Sequence, residues 1–163
     1  MRQLFLPIIA VGLFIIVLGN YNKKSPLSAP PPTSAPVTKE IIINDTIIDV
    51  EIANSASERR TGLSNRETLN ENTGMLFLFE KENVFESFWM KDMEIAIDIL
   101  WIDDGKIVQI DKNIPPPAPD APDADLILYS SKKPFDYVLE VNAGYSDNHQ
   151  IKIGDPVDLS KAL

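Results

Sequence analysis

The chain has 163 residues, with 15 Lys and Arg against 24 Asp and Glu, one His, 13 Pro and no Cys, a length that suits one ordinary domain with appendages. Without Cys there is no disulfide framework, no thiol nucleophile and no Cys-ligated zinc or iron–sulfur cluster. A formal charge of −9 speaks against nucleic acid as a partner, because phosphate binding needs a clustered excess of Lys and Arg, while 44% hydrophobic residues suffice for a real core.

Residues 1–24 read as an N-terminal membrane anchor or signal segment. Arg2 precedes an apolar run from Leu4 to Leu18, and Tyr21, Lys23 and Lys24 suit a membrane interface. Val17 and Gly19 offer small residues for cleavage, so a retained anchor and a removed signal are both compatible with the run. Either reading makes the membrane a partner of this segment. It expects the domain in the cell envelope, anchored to the cytoplasmic membrane and facing outward, or secreted if the signal is cleaved.

Residues 25–38 (SPLSAPPPTSAPVT) carry five prolines among small and hydroxylated residues and read as a Pro-rich linker. At about 3.1 Å per residue in polyproline II, it spans some 40 Å. Residues 39–163 then form the expected globular β domain. Removing Arg2, Lys23 and Lys24 leaves 12 basic against 24 acidic residues, so that domain carries an acidic surface.

IIINDTIIDVEIA (41–53) alternates Ile48, Val50 and Ile52 with Asp49 and Glu51 behind an Asn44-Asp45 turn, which predicts a hairpin with one buried face. Ser55 with Glu58 fits a capping box for a short helix over 56–61 that stops at Gly62; Ser64 with Glu67 suggests another helical turn towards Leu69. MLFLF (75–79), FESFWM (85–90) and IAIDILWI (95–102) read as strands, and Asp104-Gly105 joins the last to KIVQI (106–110) in a hairpin. Prolines 115–117, 119 and 122 enforce a loop. LILYS (126–130), DYVLEV (136–141), QIKI (150–153) and VDL (157–159) resume strand character. The expected fold class is all-β: a jelly-roll-like sandwich or partly closed barrel of about eight strands with one or two short helices.

Three blocks in order carry a family resemblance: ERRTGLSNRETLNENTGMLFLFE (58–80), SFWMKDMEIAIDILWIDDGKIVQI (87–110) and YVLEVNAGYSDNHQIKIGD (137–155). They are similar to the R-x-x-G-L…G-M-L-F, F-W-M-K and L-E-V-N-A-G motifs of the domain of unknown function 192 family, also called uncharacterised protein family 0127. The resemblance implies a jelly-roll-like β-sandwich but no agreed activity. Asp92-Met93 replaces the Asn-Thr that usually follows W-M-K, and Ile95-Ala96-Ile97-Asp98 replaces Ile-Pro-Leu-Asp, so a ligand contact made there would be altered.

The candidate ligand site combines Arg66, Trp89, Lys91, Asp98 and Asn142. An aromatic ring offers a stacking platform and the flanking charges fix orientation, which suits an envelope saccharide or a small anionic molecule. Each residue also has a plain structural role available: Arg66 pinning a loop to carbonyls or to a carboxylate such as Asp98 or Glu140, Trp89 in the core, Lys91 reaching outward. A noncatalytic ligand-binding or accessory domain is the leading reading. The alternatives are a hydrolase acting on envelope glycans through Asp98 and Glu140, and a module that docks a protein partner. No cofactor and no metal are expected: His149 sits in a polar turn as a surface residue, and Asp120, Asp123 and Asp125 lack the spacing of a calcium loop.

Overall fold

Alternating burial in the first two strands sets the sheet. Ile41, Ile43, Ile48 and Val50 are wholly buried, while Asp49 faces outward. These residues form β1 (Lys39–Ile43) and β2 (Thr46–Ala53), an antiparallel hairpin that turns with Asn44 at φ 53°. The computed structural model describes residues 38–163, so the readings on residues 1–24 and on the linker up to Val37 lie outside the described residues. Among the described residues no helix is long and apolar enough to cross a membrane.

α1 (Ala56–Thr61) begins as its capping box predicts: the Ser55 hydroxyl accepts from the Glu58 N–H at 3.2 Å, and the Glu58 carboxylate accepts from the Ser55 N–H at 2.9 Å. It ends at Gly62, whose φ of 50° and ψ of −132° suit a residue without Cβ. The second box, at Ser64, forms no helix. The Ser64 hydroxyl donates instead to the Lys91 carbonyl at 2.8 Å and Asn65 turns left-handed at φ 59°, so a tertiary contact holds the side chain that a cap would need.

β3 (Thr73–Leu78) runs parallel to β2, so β2, α1 and β3 form a crossover unit; the other strand pairs are antiparallel. β4 (Ser87–Trp89) is shorter than the apolar run suggested and pairs with β7 (Leu128–Ser130) in a separate ribbon. β5 (Ile97–Asp103) and β6 (Lys106–Ile114) make the expected hairpin, with Asp104 at φ 46° and Gly105 at φ 65°, both left-handed as a tight primed turn requires. β8 (Tyr137–Asn142) is followed by α2 (Tyr145–Asn148) and β9 (Val157–Asp158). The predicted strand at 150–153 is absent: the Ile151 N–H goes to the Ser146 carbonyl and the Lys152 N–H to the Asp155 carboxylate, which leaves no ladder to join.

The architecture is all-β, a curled half-barrel sheet ordered β6-β5-β8-β3-β2-β1-β9 beside the β4–β7 ribbon, with two short α-helices. Both faces of the central strands are buried. One carries Val50, Leu76, Leu100, Ile102, Leu139 and Val141; the other carries Met75, Phe77, Ile97, Ile99, Trp101 and Val138, under Leu63, Met90, Met93 and Phe135. Two-sided burial explains why β3, β5 and β8 read as continuous apolar runs instead of alternating ones.

Gly74 is where β3 meets β8 most closely. A Cβ there would lie 2.6 Å from the Glu140 carbonyl oxygen and 3.0 Å from Val141 Cγ1. Because the obstacle is backbone, Gly74→Ala is expected to cost about 1–3 kcal/mol, seen as a lower urea midpoint; an unchanged midpoint would mean that β3 can shift freely.

Candidate functional site

A cavity of about 320 Å³ opens between α1, the loop that follows it, β4 and the second face of the sheet. Its lining includes Arg59, Arg60, Gly62, Phe77, Trp89 and Glu140. The aromatic wall interlocks: Phe88 packs near-perpendicular to Phe77 at 5.0 Å between centroids and to Trp101 at 5.4 Å. Arg59 fixes α1 to this wall. One guanidinium nitrogen donates to the carbonyls of Asn54 at 2.7 Å and Leu78 at 2.8 Å, and the group lies 5.4 Å from the centre of the Phe79 ring.

Glu140 forms the floor. On β8 it pairs with Met75 of β3 and Ile99 of β5, in the middle of an apolar sheet face, and is only 5% exposed. No hydrogen bond or ion pair engages its carboxyl among the described residues; its oxygens keep contact with the cavity and are not sealed into the core. Burial pushes its pKa up to about 8, against the weaker opposing pull of the Arg66 charge. The group is therefore mostly a neutral acid at pH 7. A perturbed carboxyl in a cleft is a candidate for function on physical grounds.

The five residues singled out from sequence do not converge. Trp89 lines the cavity. Arg66 is bidentate to Glu51 of β2 at 2.5 and 2.7 Å, which raises the guanidinium pKa further; it pins the loop after α1 to the sheet through Glu51, not through Asp98 or Glu140. Lys91 pairs with Asp123 and sits 5.7 Å from the centre of the Trp89 ring. Asn142 donates to the Leu69 and Asn70 carbonyls at 3.0 and 3.1 Å, tying the same loop to β8. Asp98 is wholly buried under four donors: the N–H groups of Asn113, Gly144 and Ser146 and the Ser146 hydroxyl.

Strand register also separates the two carboxylates suggested for hydrolysis. Asp98 pairs with Val141 and Glu140 with Ile99, so their side chains lie on opposite faces of the sheet and share no cleft. His149 stacks on Tyr145 at 4.0 Å and is half-buried, not a free surface group. Among the described residues no group of three or more His, Asp or Glu could hold a metal.

Fold and cavity together define a small half-barrel β domain with a walled pocket over an unpartnered acid. The chain belongs to the DUF192 family, described as "Uncharacterized ACR", whose model matches residues 39–159. Among solved structures it is similar to a Sinorhizobium meliloti 1021 protein provisionally assigned as a transcription regulator, with 28% identity, a TM-score of 0.66 and coverage of 76% of this chain and 95% of that one. It is equally similar to a protein of unknown function from Novosphingobium aromaticivorans DSM 12444: 27% identity, TM-score 0.66, coverage 80% and 91%. No curated protein matches the chain.

The motif blocks that carry the family resemblance meet at the pocket. Arg59 and Gly62 come from the first, Phe88 and Trp89 from the second and Glu140 from the third. Glu140 is the residue that sequence reasoning undervalued. The available signal was a lone acid inside YVLEV, a run otherwise apolar on both faces.

Proposed function

We propose that this domain is a noncatalytic small-molecule-binding module of the cell envelope, with the pocket over Glu140 as its site. The observation that carries the reading is the Glu140 carboxyl itself, in a residue 5% exposed, facing the floor of a cavity walled by Phe77, Phe88 and Trp89 and making no hydrogen bond or ion pair among the described residues. A carboxyl that faces a cavity and makes no bond to the chain leaves its hydrogen-bonding capacity to whatever fills that cavity. A saccharide or a small anionic molecule offers both a face for the rings and polar atoms for Glu140 and α1. The envelope location rests on the apolar segment and the Pro-rich stretch that precede the domain.

The test is a thermal-shift titration of the full chain against envelope saccharides and small carboxylic and phosphorylated acids. Two variants accompany it: Trp89→Ala, which removes one wall, and Ala56→Trp, which plugs the mouth from an exposed position on α1. A ligand at a hundredfold over its Kd is expected to stabilise the wild type by about 2.7 kcal/mol and to lose that effect in the folded variants. A panel without a stabilising compound, or a plugged variant that binds as well as wild type, would sink the reading.

A further inference from the structure

The pocket is neutral and polar at its floor and cationic at its α1 side, and this asymmetry selects a ligand. Arg59 and Arg60 line it from α1, and Glu86 lines it beside β4. Arg60 is exposed and makes no ion pair among the described residues. Two aromatic faces are already set against cations, Phe79 under Arg59 and Trp89 under Lys91. A cationic ligand entering here meets like charge at those rings, whereas an anion meets a guanidinium with its donors free.

We infer that the ligand is a small organic anion, a carboxylate or phosphate ester on a ring-sized apolar body, with its charge towards Arg60 and an oxygen accepting a hydrogen bond from the Glu140 carboxyl. This rests on the pocket being the ligand site. A space of about 320 Å³ is roughly twice the cavity of about 150 Å³ that takes up benzene, so one substituted ring fits. The charged group that bears on Glu140 is Arg66, itself held by Glu51; Arg59, Arg60 and Glu86 are the other charged groups that line the cavity. Below about pH 8 the Glu140 carboxyl keeps its proton and can donate it in a hydrogen bond; above that it becomes a second anion facing the ligand. Anion affinity therefore falls as pH rises through that value.

The experiment is a ligand-observed NMR titration of the full chain with three probes that share one ring: phenylacetate, 2-phenylethanol and phenethylamine. At pH 7 phenylacetate is expected to bind at least tenfold more tightly than phenethylamine, with the alcohol between them. Its affinity is expected to drop about tenfold per unit above pH 8, and Glu140→Gln to remove that drop. Arg60→Ala, a change at an exposed side chain, is expected to weaken phenylacetate about tenfold and leave the alcohol unchanged. Preference for the amine, a flat pH profile in wild type, or indifference to Arg60→Ala would overturn the anion assignment. If those results remain sensitive to Trp89→Ala and Ala56→Trp, the pocket reading survives it; if none of the probes binds, both fall.

Discussion

Glu140→Gln is expected to make this protein more stable at neutral pH, by about 3 kcal/mol at pH 7. The sign follows from the proton. In the unfolded chain the carboxyl titrates near 4.5; in the fold, burial raises it to about 8. Between those values the native state holds one proton more than the unfolded state, so stability falls as pH rises, by about 1.4 kcal/mol per unit, and levels off above pH 8. Glutamine keeps the shape and loses the titration. Denaturant midpoints of the two proteins from pH 4.5 to 9 are expected to start together and diverge, with wild type the lower. Parallel profiles would mean that Glu140 is ionised and compensated, and the neutral floor of the pocket would have to be given up.

Asp98→Asn is expected to have the opposite effect, a loss of about 1–3 kcal/mol at pH 7. Asp98 Oδ1 accepts from the N–H groups of Asn113 at 2.8 Å and Gly144 at 3.1 Å; Oδ2 accepts from the Ser146 N–H at 3.0 Å and its hydroxyl at 2.5 Å. An asparagine amide turns one of those oxygens into a donor facing donors, at a wholly buried position. The segment from β8 through Gly144 into α2 then loses its anchor to β5, together with the packing of Tyr145 against the core. A fall in the thermal midpoint with phenylacetate affinity retained in the folded fraction is the expected pattern. Unchanged stability with lost binding would instead return Asp98 to the ligand site.

Local signals served well where local physics decides the outcome. Ser55 with Glu58 marked the start of α1, Gly62 its end, and Asn44-Asp45 and Asp104-Gly105 two hairpin turns, because caps and tight turns are built by residues within four positions of one another. They failed at Ser64, where a distant partner, the Lys91 carbonyl, took the side chain that a cap would have used, and at 150–153, where nearby turn partners, the Ser146 carbonyl and the Asp155 carboxylate, took the N–H groups that a strand would have used. Periodicity also hid the site. In a strand buried on both faces every residue reads as core, so Glu140 looked like one acid among many in an acidic chain.

The charged candidates show the same division. Residue type marked Arg66, Lys91, Asp98 and Asn142 as strong hydrogen-bonding groups, and each makes strong contacts: Glu51, Asp123, the α2 turn and the 69–70 carbonyls. Those contacts are with the chain itself, and only proximity across the fold could reveal that. The sequence by itself determined the all-β class, the family and the aromatic block around Trp89, because hydrophobic patterning and motif order survive without coordinates. Only the tertiary structure decided that the parallel crossover β2–α1–β3 lays a helix over one sheet face, that register sends Asp98 and Glu140 to opposite sides, and that one of these acids is satisfied while the other waits at the floor of a pocket. The physical reason is that side-chain direction in a strand flips with each residue, so the face a group occupies depends on pairings that no local stretch of sequence encodes.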